Sequence, residues 1–292
     1  MYLTRRNFIA AFFCIPLFIS AVYSFVSAGE IAVYGDSQFN ESAQERVVKA
    51  ILRFKPSVIF RVGDIVNDGN DPEQWQIFNR IASPLLNTTE YYPALGNHEY
   101  DSPLYFKNFP RIHNQRWYSV EKEGIHFIVL DSNSNIQNNS EQYRWLESDL
   151  RKVSPGIKFK IAFFHHPIFS VGPHPEDEKQ LKHILLPLFE EYGVCAVFSG
   201  HNHNYQRFKY HGIDFIVTGG GGSYLLDRNL SSPYLKKFVK AYHFCLLSAE
   251  NGYLTVKVID AGLNVIDDFV ISPQRSEGPE ATVPAGGNLI KK

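Results

Sequence analysis

Five apolar runs of strand length, between Ile31 and Ser199, each stop at a short turn made of Gly, Asp, Asn, Gln and His. The runs are IAVY before GDSQ, VIFRV before GDIVND, YYPAL before GNHEY, FKIAFF before HHP and AVFS before GHNH. Short runs rich in Val, Ile, Phe and Tyr, bounded by turn residues, read as buried strands. Helix-period segments lie among them: SAQERVVKAILRF with Asn40 or Ser42 as cap, EQWQIFNRIASPLL, SEQYRWLESDLRKV, and EDEKQLKHILLPLFEEYG ending at Gly193. This alternation is the pattern of a sheet covered by helices. Ligands of such sheets bind beyond the carboxyl ends of the strands, so the five polar turns should converge on one edge.

WYSVEKEGIHFIVLDS reads as two more strands around a Glu-Lys-Glu-Gly turn. Past Gly200 the character changes: QRFKYHGIDFIVTGGGG, KAYHFCLLSAENGYLTVKVID and NVIDDFVIS are short strands joined by Gly or Asn-Gly turns, which suggests an antiparallel sheet. From Ser272 the composition turns to Pro, Gly, Ser and Glu, so residues 272–292 read as a flexible tail. No internal repeat is present. Two packed sheets with helices outside are expected.

The chain of 292 residues suits one large domain, and its formal net charge of −1 includes no basic cluster outside the N-terminus, which argues against nucleic acid as a partner. The first 28 residues have Arg5 and Arg6, an uncharged apolar stretch and VSA ending at Ala28, the architecture of an export signal. TRRNFI is similar to the twin-arginine signal of bacterial exporters, with an ordinary secretory signal as the alternative. The chain is therefore expected outside the cytoplasm, in a bacterial periplasm, or held to the membrane by residues 8–28 if the segment is not cleaved. Cleavage would remove two arginines and no acids, leaving 27 basic and 30 acidic residues, or −3. Cys195 and Cys245 fall in apolar runs, where buried free thiols are the usual reading and a disulfide is the alternative.

The polar turns carry Asp36 and Gln38; Asp64, Asn67 and Asp68; Asn97 and His98; His165 and His166; His201 and His203. A Gly-Asp after a strand is often only a turn, and a single His at a strand end is more often structural than a ligand. Five such sites together are harder to dismiss. Carboxylate, amide oxygen and imidazole are ligands for Mn, Fe or Zn, and thiolate is absent from the set. In extended chain residues i and i+2 project to one side about 6.6 Å apart, so His201 and His203 can approach different ions of a pair separated by roughly 3.5–4 Å.

The ordered series GDSQ, GDIVND, GNHE, HHP and GHNH resembles the calcineurin-like metallophosphoesterases, and most of all their purple acid phosphatase branch. RWYSV, FIVLDS, EQYRWLESDL, GHNHNYQR and FIVTGGGG resemble segments of that branch in the same order, so the likeness covers residues 30–271 within an expected domain of 29–271. The resemblance implies an α/β fold, a four-layer α-β-β-α sandwich of two mixed sheets flanked by helices. It implies that Asp64 bridges two metals, that Asp36 and His203 hold the first, and that Asn97, His165 and His201 hold the second. His98 would contact the phosphate and assist the leaving group, and His174 would be a further substrate contact. His166 aligns with a position that is not a ligand. The implied reaction is hydrolysis of a small phosphate ester by a metal-activated hydroxide, monoesters being favoured. A phosphodiesterase with the same core and a non-catalytic metal-binding descendant are the alternatives.

Two positions depart from the pattern. Asn67 stands where the purple enzymes have a metal-binding tyrosine, so no iron–tyrosinate colour is expected and a pair of divalent ions (Fe, Mn or Zn) is. Gln38 stands where many members have a histidine; it is counted as a ligand through its amide oxygen, with lining the pocket as the alternative. His113, His126, His183, His211 and His243 are expected to be structural. Gly219–Gly222 lacks the Lys-Ser/Thr of a phosphate loop and reads as close backbone approach beside the site, while Tyr205 and Arg207 either meet substrate or pack the strand exit.

Overall fold

The computed structural model describes residues 30–274 except 175, 176, 178 and 251, so the expected export segment and most of the expected tail lie outside the described residues. In chain order the first strands are β1 (Ile31–Tyr34), β2 (Val58–Val62), β3 (Glu90–Ala94), β4 (Tyr118–Lys122), β5 (Ile125–Val129) and β6 (Phe159–Phe163). They are followed by β7 (Ala196–Ser199), β8 (Tyr205–Tyr210), β9 (Ile213–Thr218), β10 (Leu235–Val239), β11 (His243–Glu250), β12 (Tyr253–Asp260) and β13 (Val265–Ile271). The helices are α1 (Glu41–Leu52), α2 (Pro72–Leu86), α3 (Pro103–Asn108), α4 (Glu141–Arg151) and α5 (Leu181–Glu191).

One sheet runs β13-β12-β11-β1-β2-β3 and the other β10-β8-β9-β7-β6-β5-β4. Both are mixed: β1, β2 and β3 are mutually parallel, as are β5, β6, β7 and β9, and the remaining pairs are antiparallel. The sheets meet through stacked rings. Phe60 of β2 lies 4.3 Å from Phe163 of β6 between centroids, nearly parallel, and 4.7 Å from Phe127 of β5. Side chains alternate along a strand, so the neighbours Ile128, Ala162, Phe164 and Val197 face the opposite way and form a second core with Leu146, Leu150, Leu185 and Phe189 of α4 and α5. On the first sheet, Val47, Ile51, Trp75 and Phe78 of α1 and α2 are buried in the same way. The expected four-layer sandwich is the fold observed.

The start of α1 is set by Asn40, whose side chain accepts the N–H of Ala43. The segment after Gly200 differs from expectation. It does not form one antiparallel sheet: β9 pairs parallel to β7, and β11 crosses to lie beside β1 with Val33 opposite Cys245. Hairpin turns advertise only their own two strands, so sequence could not show that the hairpins part company. The strand β10 was not expected either, because Lys236 and Lys237 interrupt its apolar period; it is an edge strand, where lysines are common. The last long helix begins at Leu181 rather than near Asp177, since Asp177 and Gln180 both take left-handed backbone (φ 53° and 56°). Cys195 and Cys245 are buried free thiols. No described helix is long and apolar enough to cross a membrane.

Candidate metal centre

The carboxyl ends of β1, β2, β3, β6 and β7 deliver all five polar turns to one edge of the sandwich. The turns are fastened to one another by backbone: Asp36 N donates to Gly63 O at 3.1 Å, Ser37 N to Asp64 O at 2.9 Å, and Gly200 N to His165 O at 3.0 Å. Gly63 shows why this needs glycine. Its φ is +89°, and a Cβ there would sit 2.6 Å from His165 Nδ1. Asp36, Asp64 and His201 also take left-handed backbone, at φ 58°, 49° and 69°. Such conformations persist only where the surroundings over-determine them, and they cluster at functional sites.

Asp64 is the centre of the group. Its Oδ2 lies 3.2 Å from His165 Nε2 and 3.2 Å from Gln38 Nε2. His165 Nε2 is in turn 3.0 Å from Asn97 Oδ1 and 3.1 Å from His201 Nδ1. On the other side, His203 Nε2 is 3.4 Å from Gln38 Nε2 and 3.7 Å from Asp36 Oδ1. The backbone fixes which ring nitrogens face inward: His165 Nδ1–H donates to Val62 O at 2.8 Å and His203 Nδ1–H to Tyr224 O at 2.9 Å. All seven expected ligands are thus brought together, Asp36, Gln38, Asp64, His165 and His201 buried, Asn97 and His203 half-buried.

Burial pushes the Asp36 carboxyl up to about 8 against the pull of His165. Burial works to raise Asp64 too, but His165 and His98 outweigh it and hold that carboxyl below the usual range. Burial opposes a proton on His165, yet Asp64 and Asp36 raise it to about 10. His203 is pushed down to about 4 and His201 lower still, in both cases chiefly by burial. Burial therefore opposes charge on every one of these groups, and a proton on His165 is what balances Asp64. A divalent cation among the same donors would meet that need with neutral imidazoles and ionised carboxylates. Asp36 Oδ2 is buried without a hydrogen-bond partner, and so is Gln38 Oε1, whose amide needs half a turn to bring that oxygen to the centre; both are acceptors that a cation would satisfy. The residues fit a metal.

The expected catalytic histidines lie alongside. His98 Nδ1–H donates to the backbone carbonyl of Asn67 at 2.8 Å, leaving Nε2 3.9 Å from Asp64 Oδ2. Position 67 thus orients His98 through its backbone, whatever its side chain. His174 packs its ring 4.0 Å from that of His201, on a loop held by Asn202, whose Oδ1 accepts the N–H of His174 at 3.2 Å. His166, at a position expected not to be a ligand, also lies close to the centre: it is buried, its ring lies 4.6 Å from that of His201, and with His165 and His201 it forms a group able to hold an ion. Its Nδ1 is 2.8 Å from Ser132 Oγ.

Sequence reasoning missed the supports. Glu99 is fully buried and accepts the N–H groups of Asp64, Ile65 and Gly96. Arg61, fully buried in β2, stacks over Tyr34 and donates to Ser37 Oγ at 2.8 Å. A charged residue inside a strand or just behind a ligand was the available signal. Tyr205 and Arg207 both bind Asp267 of β13, so they tie strands together. His126 pairs with Asp149 and His211 with Glu190, as structural histidines do. Gly221 N donates to Gly35 O at 2.7 Å, the close approach expected of the glycine run.

Fold and site together define a metallophosphoesterase framework. The calcineurin-like phosphoesterase family profile matches residues 29–205, more than half of the chain, and the chain belongs to that family. Its sequence relatives lie in the purple acid phosphatase branch. Probable purple acid phosphatase 20 of Arabidopsis thaliana is 29% identical over 202 residues, 62% of this chain and 46% of the relative. Purple acid phosphatase 21 of the same plant is 28% identical over 219 residues, 66% of this chain and 50% of the relative. The chain spans about half the length of these curated relatives. Among solved structures, purple acid phosphatase PPD1 from yellow lupin (Lupinus luteus) seeds superposes with a TM-score of 0.72 at 20% identity, covering 84% of this chain and 54% of that one. GAP50, the anchor in the inner membrane complex of Plasmodium, gives 0.71 at 19% identity, covering 86% and 90%. At these identities the structures speak for the fold.

Proposed function

We propose that the chain is an exported phosphoester hydrolase working with two divalent ions and preferring monoesters. The observation that carries this reading is Asp64 Oδ2, which sits between His165 on one side and Gln38 on the other, each 3.2 Å away. Asp64 would be shared by both ions, Asp36, His203 and Gln38 would complete one, and Asn97, His165 and His201 the other. When bound, such a pair neutralises the phosphoryl oxygens and makes water a nucleophile near neutral pH. The remaining work belongs to side chains. His98, its Nδ1–H tethered to Asn67 O, turns Nε2 to the site and, as the imidazolium, would give its Nε2 proton to the departing oxygen and return to the neutral ring. His174 and His201 pack together, their rings tilted, at the wall where the phosphate would lie.

Initial rates on p-nitrophenyl phosphate and bis-p-nitrophenyl phosphate, after loading with Mn²⁺, Fe²⁺ or Zn²⁺ and counting bound metal, test the proposal. Faster turnover of the monoester is expected. Faster turnover of the diester would reassign the substrate class. Two bound metals with no turnover of either would favour the non-catalytic reading, for which Gln38 and Asn67 are the motivating departures.

A further inference from the structure

Two large aromatic side chains stand against His98 and a third stacks on one of them, and their own packing does not account for them. Phe39 is 47% exposed, Tyr100 59% and Tyr224 63%. The Phe39 ring meets His98 edge-on at 5.7 Å and stacks with Tyr224 at 5.9 Å, while Tyr100 approaches His98 from another loop at 6.3 Å. Phe39 and Tyr100 also take left-handed backbone, at φ 74° and 49°. That conformation is unfavourable for a bulky residue, so these two positions carry strain as well as exposed apolar surface.

The rim is nevertheless held in place. Phe39 lies between Gln38 and Asn40, the cap of α1. Tyr100 is followed by Asp101, which is paired with Arg116, itself bound to the buried carboxylate of Asp131 at 2.8 Å. The carbonyl of Tyr224 takes the Nδ1–H of His203. Phe39 further lines a cleft of about 250 Å³ with Gln38, Asn67, Gln74 and Phe78. Exposed ring faces and amide groups, next to the histidine that faces the departing oxygen, suit a flat ring carrying few charges.

We infer that Phe39, Tyr100 and Tyr224 form the leaving-group subsite, and that it takes phosphate esters whose alcohol bears a planar aromatic ring, an aryl group or a nucleobase. This rests on the hydrolase reading above. The metal-loaded protein should hydrolyse benzyl phosphate with a kcat/KM about five- to tenfold above that for cyclohexylmethyl phosphate, whose leaving group is of similar size and basicity but not flat. Adenosine 5′-monophosphate against ribose 5-phosphate separates a nucleobase from a simple aryl ring. Phe39→Gly and Tyr224→Ala should each bring the benzyl to cyclohexylmethyl ratio towards one. Glycine suits the backbone of position 39, so the first variant should keep the melting temperature.

Binding of benzylphosphonate and cyclohexylmethylphosphonate, measured by calorimetry, provides a readout without turnover. Equal affinities, with equal rates wherever the esters turn over and no preference for the nucleotide, would overturn the ring subsite and leave the hydrolase intact. No turnover of any ester with both metals bound would instead remove the hydrolase, while tighter benzylphosphonate binding lost in Phe39→Gly would still support the subsite.

Discussion

Glu99 accepts the backbone N–H of Asp64 at 3.0 Å with a carboxylate that also takes Ile65 N–H at 2.8 Å and Gly96 N–H at 2.6 Å. A residue with no ligand role therefore fixes the loop that carries the central carboxylate. Burial and the charge of Asp64 push its pKa up to about 7, against the pull of the Ile65 and Gly96 N–H groups and of His165. Glu99→Gln would turn an amide NH₂ against those donors. An unsatisfied buried donor costs about 1–3 kcal/mol. For a domain of this size the melting temperature should fall by several degrees, roughly 2–4 °C per kcal/mol. Metal affinity should drop about 10- to 100-fold, the usual effect of losing a group that holds the ligands. Calorimetric melting and metal titration check both, and wild-type values for the two would mean the clamp does not position Asp64.

Much of this cluster is legible in the sequence because its side chains sit at strand ends. A buried run followed by Gly-Asp or Gly-His marks both the strand and the edge on which its cargo must emerge, so the sequence alone puts Asp36, Asp64 and His201 on that edge. Glu99 is not legible in this way, since a carboxylate whose partners are backbone N–H groups from another loop leaves no pattern of spacing. The rim aromatics were missed for a related reason. Phe39 looks like core in a sequence, and only its exposure and left-handed backbone reveal otherwise. The division of the C-terminal strands between the sheets was hidden because β11 pairs with β1, more than two hundred residues away.

On the proposed two-ion reading, Gln38 should hold one ion of the pair. Its Nε2 now donates to Asp64 Oδ2 and its Oε1 has no partner. Half a turn of the amide puts Oε1 between Asp64 Oδ2 and His203 Nε2, where a cation shared by those groups would lie. Gln38→Ala should weaken one equivalent of Mn²⁺ by about tenfold or more while the other stays, an effect of the order expected for lost metal support. Gln38→His, which supplies an imidazole at the same place, should retain both. Two equally tight equivalents in the alanine variant would make Gln38 a pocket wall.

His98 should matter most when the leaving group is basic. A p-nitrophenolate departs without help, whereas an alkoxide needs a proton as the bond breaks. His98→Ala should therefore lower kcat on benzyl phosphate by about 10²–10⁴-fold with metal content unchanged, and lower it much less on p-nitrophenyl phosphate. Equal losses on the two substrates would point to a binding role in place of proton donation.

His243 should set part of the acid limit of the fold. It is fully buried, donates Nδ1–H to Ala241 O at 2.9 Å and takes the Thr218 hydroxyl on Nε2 at 3.0 Å, bracing the glycine run behind Asp36. Burial pushes its pKa down to about 4 from an ordinary 6.5. Above pH 6.5 the group is neutral in both states and its contribution is complete. As pH falls below that, the unfolded chain takes up the proton and the folded chain does not, so stability is lost between pH 6.5 and about 4. The loss amounts to about 3 kcal/mol over the whole window. His243→Gln should be less stable than the native chain at pH 7.5, but should lose about 2–3 kcal/mol less on going to pH 4.5. Urea unfolding at the two pH values measures this difference. Parallel losses in the two proteins would show that His243 takes its proton as readily folded as unfolded.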